Sequence, residues 1–178
     1  MLSTAAAISP VPWHLFRDSA GFTVRYPGTW VRFGGSGHLA LRNSPGGMEG
    51  VIIKPGQAYL WVAAYHSKRP SLDVALARYT RGVDSVLVRR NLPAGSTPDE
   101  CGALTEVITR EPIVPREDAQ LSPPKVINDQ YFCTGDGRVI ITTVRYYATD
   151  RHAAAYQMIA RQVAQSIRIG AGSAEAGH

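Results

Sequence analysis

The sequence predicts an α+β fold: a mainly antiparallel β-sheet flanked by two helices. Three observations carry this. The apolar segments are mostly short and bounded by Gly, Pro, Asn or Asp, the pattern of strands between turns. Only two stretches, 71–82 and about 151–167, show helical spacing. The connections between successive strands are short turns, which favour antiparallel pairing. A chain of 178 residues, 44% of them apolar, is one ordinary domain with enough side chain to bury a core. The domain is expected over 13–169. Residues 1–12 read as a disordered tail or signal remnant, because "TAAAIS" resembles the small-residue end of a signal peptide. Residues 170–178 have the composition of a frayed tail.

The elements follow in order. Phe22, Val24 and Tyr26 alternate with Thr23 and Arg25, the period of a half-buried strand. Pro27-Gly28 fits the central positions of a tight turn. Trp30, Val31 and Phe33 then resume extended chain, so 21–33 reads as an opening hairpin. Two further strands are expected at 38–43 and 50–55. The stretch "AYLWVAAYH" (58–66) is apolar on both alternating faces. It therefore reads as a central strand covered on both sides, by helices or by a helix and loops. Ser71 caps a helix whose Leu72, Ala75, Leu76 and Tyr79 share one face, with Gly82 able to end it.

Strands are expected at 84–90 and 102–111, then an irregular Pro-rich loop at 112–124. "KVINDQYFC" and "RVIITTVRYY" flank "TGDG" (134–137) and form a β-hairpin. Thr149 or Asp150 caps the last helix. Its buried row is expected at Ala155, Ile159 and Val163, with Gln157, Arg161 and Gln165 pointing away. "SIRI" (166–169) closes the fold.

Cys101 precedes one expected strand and Cys133 ends another. If the two strands are antiparallel neighbours, the sulfurs come within bridging range, and a disulfide is expected. The pair has no zinc-type spacing, and no two of the five histidines are helical neighbours. Neither a metal site nor a cofactor is predicted. No G-x-S-x-G, P-loop or G-x-G-x-x-G motif occurs. "FGGSGH" (33–38) precedes a strand, so the helix dipole that favours phosphate is missing. Net charge is +5, but the arginines are scattered, which argues against a nucleic-acid surface. Glu106, lying within an alternating strand, reads as one half of a cross-strand ion pair with Arg138 or Arg145.

Phe16, Asp18 and "GFTVRYPGTW" (Gly21 to Trp30), followed by the long strand, Ser71-Leu72, the late hairpin and Ser166-Ile167-Arg168-Ile169, resemble the opening, order and end of the PsbP-like family. That family includes a photosystem II extrinsic protein, a Ran-binding import factor and bacterial lipoproteins such as LpqN and DcrB. The resemblance implies an α/β/α sandwich and a binding or assembly-support role without catalysis. It carries over no functional residue.

The expected function is thus a non-catalytic binding module, exported to the cell envelope and recognising a protein partner or a small apolar ligand. A lipoprotein signal could tether it to a membrane. A cytosolic adaptor for a secreted effector is the alternative, and a small hydrolase using His66 or Glu106 the enzymatic one. The candidate contact residues are Trp13, Tyr59, Trp61, His66, Tyr146 and Tyr147.

Overall fold

The computed structural model describes residues 12–33, 38–43, 56–65, 71–81, 83, 85–93, 101–112 and 125–170. The expected strand at 50–55, the Gly-rich loop at 34–37, His66, Gly82, most of the Pro-rich loop and nearly all of both tails lie outside them.

The described chain is α+β, but its strands form two sheets rather than one. Strands β1 (Trp13–Asp18), β2 (Phe22–Pro27) and β10 (Arg168–Ile169) make a three-stranded sheet in the order β1-β2-β10. The larger sheet has seven antiparallel strands in the order β3-β4-β5-β9-β8-β7-β6. These are β3 (Val31–Phe33), β4 (Leu39–Arg42), β5 (Ala58–Ala64), β6 (Ser85–Asn91), β7 (Ala103–Pro112), β8 (Lys125–Gly135) and β9 (Arg138–Tyr147). Helices α1 (Leu72–Tyr79) and α2 (Ala153–Gln165) pack on opposite faces of the large sheet.

The stretch expected to be an opening hairpin is instead the corner between the two sheets. β2 pairs with β1, and β3 pairs with β4. The corner is closed by the Trp30 N–H donating to the Pro27 carbonyl at 3.0 Å, which puts Gly28 and Thr29 in the central positions. Gly28 has no positive φ; glycine is needed there for space. A Cβ would stand 2.5 Å from His14 Nε2, because the Gly28 N–H donates to the Pro12 carbonyl across the sheet at 2.7 Å. The alternation of β2 holds: Phe22 and Val24 are buried against α2 and the large sheet. Each such fully buried side chain contributes about 1.5–3 kcal/mol.

The β8–β9 hairpin forms as expected. Gly135 pairs with Arg138 across the two-residue turn Asp136-Gly137, whose φ values are +49° and +66°. Positive φ at both positions matches the right-handed twist of the flanking strands. Helix α1 is capped by Ser71 Oγ, which accepts from the Val74 N–H at 3.3 Å. Its Ala75 and Leu76 pack on Val107, Phe132, Val139 and Ile141.

Helix α2 differs from expectation by one residue of rotation. Tyr156, Ala160, Val163 and Ala164 face the core, while Ala155 is exposed and Ile159 only partly buried. A strict every-fourth-residue row drifts around a helix of 3.6 residues per turn. The buried set here is 156, 160, 163 and 164, and Ile167 beyond the helix end joins the same core. The side-chain cap expected at Thr149 or Asp150 is displaced: His152 occupies the N-cap without a side-chain bond, and Asp150 accepts from the His152 N–H at 2.8 Å.

The disulfide links Cys101 to Cys133, with Cα atoms 5.4 Å apart. Leu104 pairs with Cys133 across β7 and β8, so the start of one strand does sit beside the end of the other. Among the described residues no helix is long and apolar enough to cross a membrane.

Candidate functional site

The two faces of the large sheet differ in how completely they are covered. On the α2 face, Leu60, Val62, Leu104, Ile140 and Val144 have no accessible surface. On the opposite face, among the described residues, α1 covers the end formed by Val107, Phe132, Val139 and Ile141. Beside that end the face floors a groove of about 530 Å³. Trp61, Gln130 and Thr143 lie on its floor, and Tyr79, Arg78 and Arg81 on the α1 side.

The strand period explains the floor. In β5, Leu60 and Val62 point to the α2 core, so Tyr59, Trp61 and Ala63 point the other way. In β8, Tyr131 and Cys133 join the α2 core, and Asn128 and Gln130 face the groove. The aromatic rings are braced by one another. Tyr79 stands edge-on to Phe132 with centroids 5.8 Å apart, and Tyr59 lies between Phe33 and Trp61 at 6.0 Å from each. Burial pushes the Tyr79 hydroxyl above its ordinary pKa.

The polar groups of the groove are unevenly satisfied. Glu111 accepts from Asn128 Nδ2 at 2.7 Å and pairs with Arg145 Nη2 at 3.1 Å. Gln130 is 4% exposed, and its Oε1 has no hydrogen-bond partner. A buried carboxamide oxygen left unpaired costs about 1–3 kcal/mol. Arg145 Nε is likewise unpartnered. Among the described residues neither Arg78 nor Arg81 has a carboxylate partner.

A second polar cluster lies under α2. Glu106 is 2% exposed and is held by Arg90 of β6 and by Arg161 of α2, the latter at 3.3 Å. These, not Arg138 or Arg145, are its ion-pair partners. Arg90 reaches it because the two residues pair across β6 and β7. The Tyr131 hydroxyl donates to Glu106 Oε1 at 2.9 Å and lies 3.1 Å from Asp129 Oδ2. Burial raises the Glu106 carboxyl, but the hydrogen bonds from Arg90 and Tyr131 and the two guanidinium charges outweigh it and hold it below its ordinary pKa. Asp129 has no accessible surface; burial and the Glu106 charge push it up to about 7. A phenol has one hydrogen to give, so only one of two carboxyls can accept it. When Asp129 is protonated it can donate to the tyrosine oxygen in turn. Opposed carboxyl environments of this kind serve acid–base chemistry; here Asp129 is fully buried and Glu106 is tied to two arginines.

The aromatic residues expected to make contacts are scattered. Trp61 lines the groove. Tyr59 and Tyr147 pack together with Val126 and Phe33 beside it on the same face. Tyr146 is on the α2 face, 1% exposed, with its hydroxyl accepting from Gln157 Nε2 at 2.8 Å. Trp13 is 39% exposed on the three-stranded sheet. The groove residues missed in the sequence are Asn128, Gln130, Thr143 and Tyr79. The available signal was the polar side chains Asn128 and Gln130 at alternate positions of an otherwise apolar strand.

No protein-family model and no curated protein matches the chain. Similar solved structures exist. A protein of Bacteroides thetaiotaomicron has a TM-score of 0.51 and 11% identity, covering 88% of this chain. This chain spans about half, 47%, of that protein's length. A Pseudomonas aeruginosa protein of unknown function has a TM-score of 0.47 and 15% identity, over 84% of this chain and 94% of its own. Cyanobacterial PsbP from Synechocystis has a TM-score of 0.45 and 10% identity, over 94% and 98%. The Bacteroides likeness is one of fold alone.

Proposed function

We propose that the chain is a non-catalytic binding module of the PsbP-like type, working outside the cytoplasm, and that its site is the groove on the α1 face. One observation carries this: among the described residues α1 covers only one end of that sheet face, and beside it lies a groove floored by Trp61, Thr143 and the nearly buried Gln130. A concave volume of about 530 Å³ falls in the range of small-molecule sites, which combine apolar walls with a few convergent polar groups. A small ligand therefore suits it better than a flat protein surface. The Cys101–Cys133 bridge supports export, since disulfides persist in oxidising compartments. The opening signature around Phe22 to Trp30 supports the PsbP-like assignment.

Amide chemical-shift mapping with a set of small apolar compounds tests the proposal. Saturable shifts should cluster on Trp61, Tyr79, Gln130 and Thr143, and Trp61→Ala should abolish them. Shifts confined to the three-stranded sheet, or none at all, would place the site elsewhere.

A further inference from the structure

We infer that the ligand of this groove is a small amphiphilic anion, with an aromatic or apolar body and a single acidic head group. The inference rests on the groove being the binding site, as proposed above, and adds the ligand's charge and shape. Three guanidiniums, those of Arg78, Arg81 and Arg145, face one carboxylate, that of Glu111. Glu111 is already committed to Arg145 and Asn128. Arg78 and Arg81 flank the groove at the end of α1 without an acidic partner among the described residues. A guanidinium pair presents a fork that suits the planar oxygens of a carboxylate or the oxygens of a sulfonate or phosphate.

The body of the ligand has its own place. Trp61 and Tyr79 offer ring surface at the groove, and Ala63, Ile141 and Val83 supply apolar wall. A neutral apolar ligand would gain nothing from Arg78 and Arg81, which are exposed at the rim. A cation would meet two like charges at the rim.

Two fluorescent probes that share a phenyl-naphthylamine frame separate head group from body: 1-anilinonaphthalene-8-sulfonate, and N-phenyl-1-naphthylamine, which lacks the sulfonate. The oxidised native chain should bind the sulfonate saturably at one site and the neutral probe about tenfold more weakly, or worse. Replacing both Arg78→Gln and Arg81→Gln should remove that preference, with the melting temperature showing that the exposed substitutions leave the fold intact. Rising salt should weaken only the sulfonate. Equal binding of the two probes, both lost in Trp61→Ala, would overturn the anion inference and leave the groove standing. If neither probe binds, or if binding ignores Trp61→Ala, the groove itself fails as the site and the inference goes with it.

Discussion

At the scale of single residues, Asp129 makes the sharpest prediction. Its folded-state pKa is about 7, against an ordinary value of 3.8. A carboxyl raised in this way binds more protons in the native state than in the unfolded one. Stability therefore falls as pH rises from about 4 to about 7 and is flat above. Glu106 slopes the other way, because its pKa is lowered. Its contribution is complete above its unfolded value and is lost only in acid. Asp129→Asn keeps the shape and removes the ionisation. The variant should lose the decline in urea midpoint between about pH 4 and about pH 7 and should exceed the parent protein at the upper end. An unchanged slope would mean that Asp129 ionises freely in the fold. The neighbours that set this behaviour are Glu106, Tyr131, Arg161 and Arg90, so the cluster joins three strands of the large sheet to α2.

At the scale of elements, the disulfide ties the residues just before β7 to the far end of β8 and encloses a segment with a sequence separation of 32. In the chain-entropy model such a bridge stabilises by about 3–4 kcal/mol. Replacing both Cys101→Ala and Cys133→Ala should lower stability by about that amount in denaturant unfolding, and the unaltered chain should show no titratable thiol when unfolded without reductant. Free thiols in that assay would refute the bridge. This element was legible in the sequence because antiparallel neighbours place a strand start beside a strand end. The β8–β9 turn was equally legible, since Asp136-Gly137 announces positive φ. The α2 face was not: Ala155, Ile159 and Val163 look as good a row as Tyr156, Ala160 and Val163 until the sheet beneath selects one. β1 was missed because only Phe16 of its six residues is buried, which leaves no alternation to read. The groove was half legible. Trp61 stands out on composition, but Gln130 joins it only through the β5–β9 and β9–β8 pairings, and Tyr79 only through the packing of α1 on the sheet, none of which a local pattern encodes.

At the scale of the whole molecule, the two sheets depend on each other through the C-terminus. Ile169 pairs with Phe22, and Arg168 with Thr23. Arg138 Nη1 donates to the carbonyls of Gly21 and Gly170 at 3.1 and 3.3 Å, fastening the small sheet to the large one. Ile167 has no accessible surface. Ile167→Ala should cost about 2–5 kcal/mol. Ending the chain after Gln165 should broaden the thermal transition of the whole domain; a sharp, unshifted transition would show the large sheet to be independent. The same closure sets a timetable for biogenesis. A growing chain holds β1 and β2 long before β10 exists, so the final layer is completed only after residue 169 has left the ribosome. Until then β2 lacks one of its two partners, and the small sheet stays open along that edge.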